Sequence, residues 1–191
     1  MARKGNPAIS EAGLLTDFAA KWNKKAQTAF DPEDVVLKPG VVPTEIIALD
    51  EALGGGIPRG RTTMLYGEYS SGKTFLAQLI IAAAQRQGGN AIFVDAERTF
   101  DPDWFRLTGV SLDESKLLVV RPRTLEQTND MVVDALQNVK PTVLVVDSIP
   151  ALVPAEILKM KMEEKDERGV HPRKMGMLVK NCTSFNDSTA L

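Results

Sequence analysis

The chain has 191 residues, of which 43% are apolar and 25% charged, with a formal net charge of −2. That length suits one domain with a small appendage, able to bury roughly 70% of its extended-chain surface without a disulfide or metal staple. The near-neutral balance excludes nucleic-acid binding through a whole-molecule field. The absence of any apolar run near the roughly 18 residues needed to span a bilayer excludes a membrane helix, and the single Cys182 excludes an internal disulfide. A reducing, cytoplasmic compartment with no membrane partner fits these features. The opening "MARKGNPAISEAG" has no apolar core behind its basic residues, so no secretory signal is expected.

From Ser10 to Lys25 the pattern is helical, with Leu14, Leu15, Phe18, Ala19 and Trp22 on one face and Ser10 as a cap. The segment "AFDPEDVVLKPGVVPTE", with three prolines, separates this helix from the rest of the chain. Its apolar face either packs on the protein's own core or docks on a neighbouring subunit. The expected division is a helical arm and linker over residues 1–35, serving assembly, and a core over residues 36–191.

The core begins with a short helix in "TEIIALDEAL", stopped by Gly54, Gly55 and Gly56. "TTMLYG" predicts a strand, and "KTFLAQLIIAAAQRQGG" a helix ended by glycines. "AIFVDAE" and "KLLVVRP" predict the next two strands. "TLEQTNDMVVDALQNV" predicts a helix whose Thr124 and Gln127 suit a capping box, with Leu125, Met131, Val132, Ala135, Leu136 and Val139 in one stripe. "TVLVVDS" predicts a fourth strand. The strands are continuous aliphatic runs rather than alternating ones. That belongs to an α/β fold with a mostly parallel sheet covered by helices on both faces.

Between the first strand and its helix lies "GEYSSGKT", formed by Gly67, Glu68, Tyr69, Ser70, Ser71, Gly72, Lys73 and Thr74. It matches G-x-x-x-x-G-K-[ST], the phosphate-binding loop (Walker A), in the strand–loop–helix context the motif needs. Glycines let successive backbone N–H groups turn toward a polyphosphate, and the helix N-terminus adds its dipole. Lys73 then supplies a charge to the β- and γ-phosphates and Thr74 a hydroxyl to Mg²⁺. A glycine-rich turn with a surface lysine is the plainer alternative.

A Mg²⁺ site also calls for a carboxylate at the end of a buried strand. Asp147 follows five strand residues, four of them aliphatic, and Ser148 beside it is placed for the metal's water shell. Hydrolysis needs a group to orient the attacking water. "VDAE" offers Asp95 and Glu97. Glu97 lies nearer the strand's C-terminal end, where ligands sit in open α/β sheets, and is preferred; Asp95 stays a competitor.

The stretches "TEIIALDEALGGGIPRGRTTMLYGEYSSGKT", "AIFVDAERTFDPDW" and "VLVVDSIPALVP" resemble, in order and spacing, the bacterial and phage RecA-type recombinases. The resemblance is continuous from Pro43 to Pro154 and looser beyond. The phosphate loop is shared by many ATPases; "LGGGIPRGR" and "DAE…DP" are the more specific parts. The resemblance implies the P-loop ATPase fold of RecA type, with ATP and Mg²⁺ as cofactors. It implies that Lys73 and Thr74 serve phosphate and metal, that Asp147 is the second metal-site carboxylate, and that Glu97 is the catalytic glutamate. Asp101 falls on the residue that hydrogen-bonds adenine. Trp104 falls where a tyrosine usually stacks on the base; the other reading is a partly buried core aromatic. No Asn-Lys-x-Asp guanine signature is present, so ATP is expected over GTP.

The resemblance also implies that the segment after "DSIPALVP" forms a DNA-facing loop. It carries Lys159, Lys161, Lys165, Arg168, Arg173 and Lys174, but also Glu163, Glu164, Asp166 and Glu167, a mixture that equally suits a solvated face. Lys159, Lys161, Arg168 and Arg173 are the candidate DNA contacts. His171 is expected to help cap the next helix, which places Met175, Leu178, Val179, Cys182 and Phe185 on one face. In the family a further core strand, lying between the phosphate-loop strand and the Asp147 strand, comes after the point reached at "NDSTAL". The expectation is therefore a core truncated at its C-terminus.

The implied function is an ATP-dependent recombinase subunit. It would self-associate into filaments on single-stranded DNA, pair it with double-stranded DNA and promote strand exchange in recombination and repair. Two alternatives stand: a non-catalytic or split fragment that binds ATP and needs a second chain for the rest of the core, and a RecA-core helicase or repair ATPase.

Overall fold

A computed structural model describes residues 17, 20, 40–159 and 170–186. The chain divides into two units, Met1–Lys38 and Pro39–Leu191. In the first, Asp17 and Ala20 are helical and exposed; the rest of the expected Ser10–Lys25 helix lies outside the described residues.

The second unit opens with a ladder that the sequence does not foreshadow. Strand β1 (Val41–Val42) pairs antiparallel with β2 (Ile57–Pro58). Helix α1 (Ile47–Ala52) lies between them and gives way to Gly54 at φ 75. Gly56 closes the return at φ 136, where a Cβ would collide with the Val42 carbonyl, so only glycine fits.

Helix α2 (Lys73–Arg86) packs on both this ladder and the main sheet. Its Ile80, Ala83 and Ala84 meet Val42 and Ile57, while Ile81 and Ala82 meet Ala91, Phe93 and Phe105. A helix covered on two sides reads as apolar nearly all round, and its alanines permit the close approach.

The main sheet has three strands, all parallel, in the order β4 (Leu117–Val120), β3 (Ala91–Asp95), β5 (Val143–Asp147). Central β3 is buried along its whole length, which is why it reads as an unbroken apolar run. Its side chains alternate between two cores. Ala91 and Phe93 face α2 and α3 (Pro102–Leu107), where the Phe93, Phe100 and Phe105 rings cluster with centroids 4.6 to 6.2 Å apart. Ile92 and Val94 face the opposite layer, with Ala135, Leu144 and Val146. That layer is α4 (Leu125–Asp134), continued by a π turn over Ala135–Val139, and α6 (Val170–Asn186). A short helix α5 (Ala155–Lys159) precedes α6.

The strand expected at "TTMLYG" does not form. Residues 62–67 are irregular, and Met64 and Tyr66 are 75% and 86% exposed. An extended segment becomes a strand when a neighbour takes up its N–H and C=O groups, and among the described residues no strand is laddered to the outer edge of β5. Three details of the helices also differ. Thr124 Oγ1 accepts from the Gln127 N–H at 3.1 Å, but Gln127 Oε1 accepts from Arg123 N–H rather than from Thr124, so the capping box closes one residue early. Val139 and Val179, expected on buried stripes, are 54% and 44% exposed. His171 is the second residue inside α6 rather than its cap. Leu178 is buried as expected, with Met175 and Cys182 packed beside it, and burial pushes the Cys182 thiol pKa up.

Three helices are joined by one ionic junction. Glu126 accepts from the Ala155 N–H at 2.9 Å and from Lys174 Nζ at 2.6 Å, and Lys174 also reaches Glu156 at 3.1 Å. Burial works to raise the Glu126 pKa, but the Lys174 and Ala155 hydrogen bonds overcome it and hold the carboxyl at about 2. A carboxyl depressed in the folded state adds stability above its ordinary value of 4.5, and that stability is lost as pH falls toward about 2. The melting temperature is expected to drop through this window. Glu126→Gln should lower it by only about 2–4 °C at pH 7, because the exposed part of the pair is screened, and should flatten the drop, because glutamine does not titrate. Thermal melts between pH 7 and pH 2.5 check both.

Candidate nucleotide site

The phosphate loop runs into the N-terminus of α2. Gly67 and Gly72 sit at φ 157 and 87, and Ser70 at φ 58, a tight path of small residues. Gly72 is the N-cap, and no side chain caps the helix there, so its first N–H groups point into the loop. Lys73 Nζ folds back inside, donating to the Gly67 carbonyl at 3.1 Å and the Glu68 carbonyl at 2.7 Å. Its ammonium is thus centred in the loop, as a polyphosphate partner must be. Tyr69, by contrast, is 98% exposed and makes no wall.

Thr74, one residue further, faces the sheet. Its Oγ1 donates to Asp147 Oδ2 at 2.6 Å, bridging α2 to the end of β5. These residues are 73 apart in sequence, yet the pair places a hydroxyl oxygen and a carboxylate oxygen within reach of one small cation. Among the described residues no group of three or more His, Cys, Asp or Glu gathers as a metal cage, here or elsewhere. Two protein oxygens beside a phosphate loop match Mg²⁺, which keeps most of its shell for water and phosphate.

The ends of β3 and β5 are stitched together, with the Ala96 and Glu97 N–H groups donating to the Asp147 carbonyl at 2.8 and 3.2 Å. This sets Glu97 next to Ser148, whose Oγ donates to Glu97 Oε1 at 2.6 Å. The Ser148 hydroxyl thus donates to Glu97, which leaves its oxygen able to accept from a water. Asp95 is committed elsewhere. Its fully buried carboxylate accepts from Arg121 Nε at 2.8 Å, Thr99 N–H at 2.9 Å and Phe100 N–H at 3.3 Å.

Asp101 is the N-cap of α3, accepting from Asp103 and Trp104 N–H groups at 2.9 and 3.2 Å. Trp104 is half exposed, with its ring 6.4 Å from that of Phe75 in the first turn of α2. So one flank of the phosphate loop carries an open aromatic face. Phe75 and Arg121 are the residues that sequence reasoning missed. Both had a signal: an aromatic directly after the loop's hydroxyl, and a cation directly after an aliphatic strand.

The candidate DNA contacts stand apart. Lys159 ends α5 and Arg173 lies in the first turns of α6, both exposed. Lys161, Lys165 and Arg168 lie outside the described residues. Lys174 is held in the Glu126 junction, so it is a structural cation rather than a contact for phosphates. Among the described residues, no helix is long and apolar enough to cross a membrane.

The family model for the RecA N-terminal domain matches residues 15–189. The Protein RecA of Roseiflexus castenholzii is 52% identical over 148 residues, covering 76% of this chain and 41% of that protein. The Protein RecA of Paramagnetospirillum magneticum is 44% identical over 152 residues, covering 79% and 42%. The mitochondrial DNA repair protein recA homolog of Dictyostelium discoideum is 36% identical over 180 residues, covering 93% and 39%. The chain thus spans about two fifths of the length of these curated relatives. With the phosphate loop leading into its helix, the parallel sheet behind it and a family model matched over nearly the whole sequence, the chain belongs to the RecA N-terminal domain family.

Proposed function

We propose that this chain forms the nucleotide-binding part of an ATP-dependent recombinase acting on single-stranded and double-stranded DNA in recombination and repair. The observation that carries the reading is the 2.6 Å Thr74–Asp147 contact beside Lys73, in a chain whose relatives are named RecA. In this reading Gly67 to Thr74 wrap the phosphates, and Lys73 holds the β- and γ-phosphates. Thr74 and Asp147 hold Mg²⁺, which when bound neutralises the charge that develops on the phosphoryl oxygens. Glu97, held by Ser148, orients the attacking water. Trp104 offers its face to adenine, and Asp101, at the same helix start, its carboxylate. Lys159 and Arg173, with Lys161 and Arg168, reach DNA phosphates.

Turnover of ATP with and without single-stranded DNA tests the reading: DNA-stimulated hydrolysis supports it, and no ATP binding overturns it. A second reading has its own observation. The exposed Met64 and Tyr66, with no strand laddered to the outer edge of β5 among the described residues, favour a chain that binds ATP but hydrolyses it well only when further polypeptide completes the sheet. Low turnover that rises on adding the remaining core of a relative would select it.

The arm over residues 1–35 is proposed to join neighbouring subunits into a filament in the cytoplasm. Deleting residues 1–30 is expected to abolish self-association while leaving ATP affinity unchanged, measured by sedimentation and calorimetry. Identical sedimentation of the two forms would return the arm to its own core.

A further inference from the structure

We propose that the Arg121–Asp95 ion pair is the positioning element for the base end of the nucleotide site, acting through the turn that joins β3 to α3. The inference rests on the nucleotide reading above and adds to it a pair of residues that touch neither base nor phosphate. Asp95 ends the central strand, with its carboxylate shielded completely from solvent while Arg121 is half exposed. A carboxylate in such a place is costly unless its oxygens are filled. Three donors fill them. Arg121 Nε comes from the end of β4, and the Thr99 and Phe100 N–H groups come from the turn after β3.

The turn so held is not one the chain would adopt freely. Arg98, in its middle, sits at φ 59, a left-handed conformation unfavourable for a residue with a long side chain. The two Asp95 bonds lie immediately beyond it, and the Phe100 ring is anchored 4.6 Å from Phe105. From there the path is continuous. Glu97 precedes Arg98, Asp101 follows Phe100, and Asp101 accepts from the Trp104 N–H to start α3. The orientation of Trp104 beside Phe75 therefore depends on where Asp95 holds the turn. The phosphate end depends on different bonds, those of Lys73 with its loop and of Thr74 with Asp147.

This separation makes a test that a merely structural role would not pass. The full chain and its Arg121→Met and Arg121→Lys variants are titrated by calorimetry with Mg-ADP and with Mg-pyrophosphate. Arg121→Met should weaken Mg-ADP about tenfold, the scale of one charge-assisted hydrogen bond, and leave Mg-pyrophosphate within about twofold. Arg121→Lys, which keeps the cation, should recover most of the Mg-ADP affinity. Thermal melts accompany each variant; if Arg121→Met does not fold, Asp95→Asn, which keeps the acceptor oxygen without the charge, is expected to show the same split. Equal weakening of both ligands, or no weakening of either, overturns the proposal. If the unsubstituted chain binds neither ligand, the nucleotide reading itself fails and this inference falls with it, an outcome seen before any variant is made.

Discussion

Lys73→Ala is expected to weaken Mg-ATP binding by about 10- to 100-fold, the scale of a lost hydrogen bond to a charged group. The reason lies in where the ammonium is held. Lys73 Nζ is centred in its loop by the Gly67 and Glu68 carbonyls, which are neutral acceptors. A polyphosphate replaces these with charged oxygens, a stronger partner for the same donor. Alanine removes that gain and leaves the loop path intact, because Gly67, Ser70 and Gly72 set the backbone. Calorimetry on both forms decides the matter: equal affinities, with equal melting temperatures, would mean that the loop does not hold phosphate through Lys73.

The sequence and the structure agree where the causes are local, and part where a neighbour decides. The buried β3, the phosphate loop and the helix behind it were legible because each is written in a few adjacent residues: an unbroken aliphatic run, spaced glycines with a lysine, an apolar helix. The sequence names Thr74 and Asp147 together because an expected metal site calls for a hydroxyl and a strand-end carboxylate, and the structure brings the two side chains into hydrogen-bond contact. Residues 62–67 have the composition of a strand and still do not form one, because strand character needs a partner ladder that the segment's own sequence cannot report. Lys174 could not be told from its neighbours in a mixed-charge stretch. Only its position one side chain away from Glu126 and Glu156 makes it structural. Arg121 was missed for a similar reason, since its partner lies on the adjacent strand, paired by register rather than by sequence distance.

Register also bears on which carboxylate orients the water. Glu97→Gln is expected to leave Mg-ATP affinity within about twofold and to lower turnover by about 10²-fold or more, the scale of a lost general base. The glutamine keeps an amide oxygen that can accept from Ser148 Oγ, so the side chain stays placed while its basicity is removed. Asp95 cannot take over without breaking its own contacts. Its carboxylate is sealed from solvent and filled by Arg121, Thr99 and Phe100, whereas Glu97 is exposed and bonded to a hydroxyl that can also face a water. The stitching of the Glu97 N–H to the Asp147 carbonyl fixes the glutamate next to the end of β5, where displacement by about 1 Å can already cost roughly 10²-fold. The rate is measured with single-stranded DNA, on this chain alone and with a polypeptide supplying the remaining core of a curated relative, so that a low baseline is not mistaken for the effect of the substitution. If the substituted and unsubstituted forms hydrolyse ATP at the same rate under the condition that gives turnover, Glu97 is not the base. The role must then be sought in a group other than Asp95, whose carboxylate is already spent on the turn.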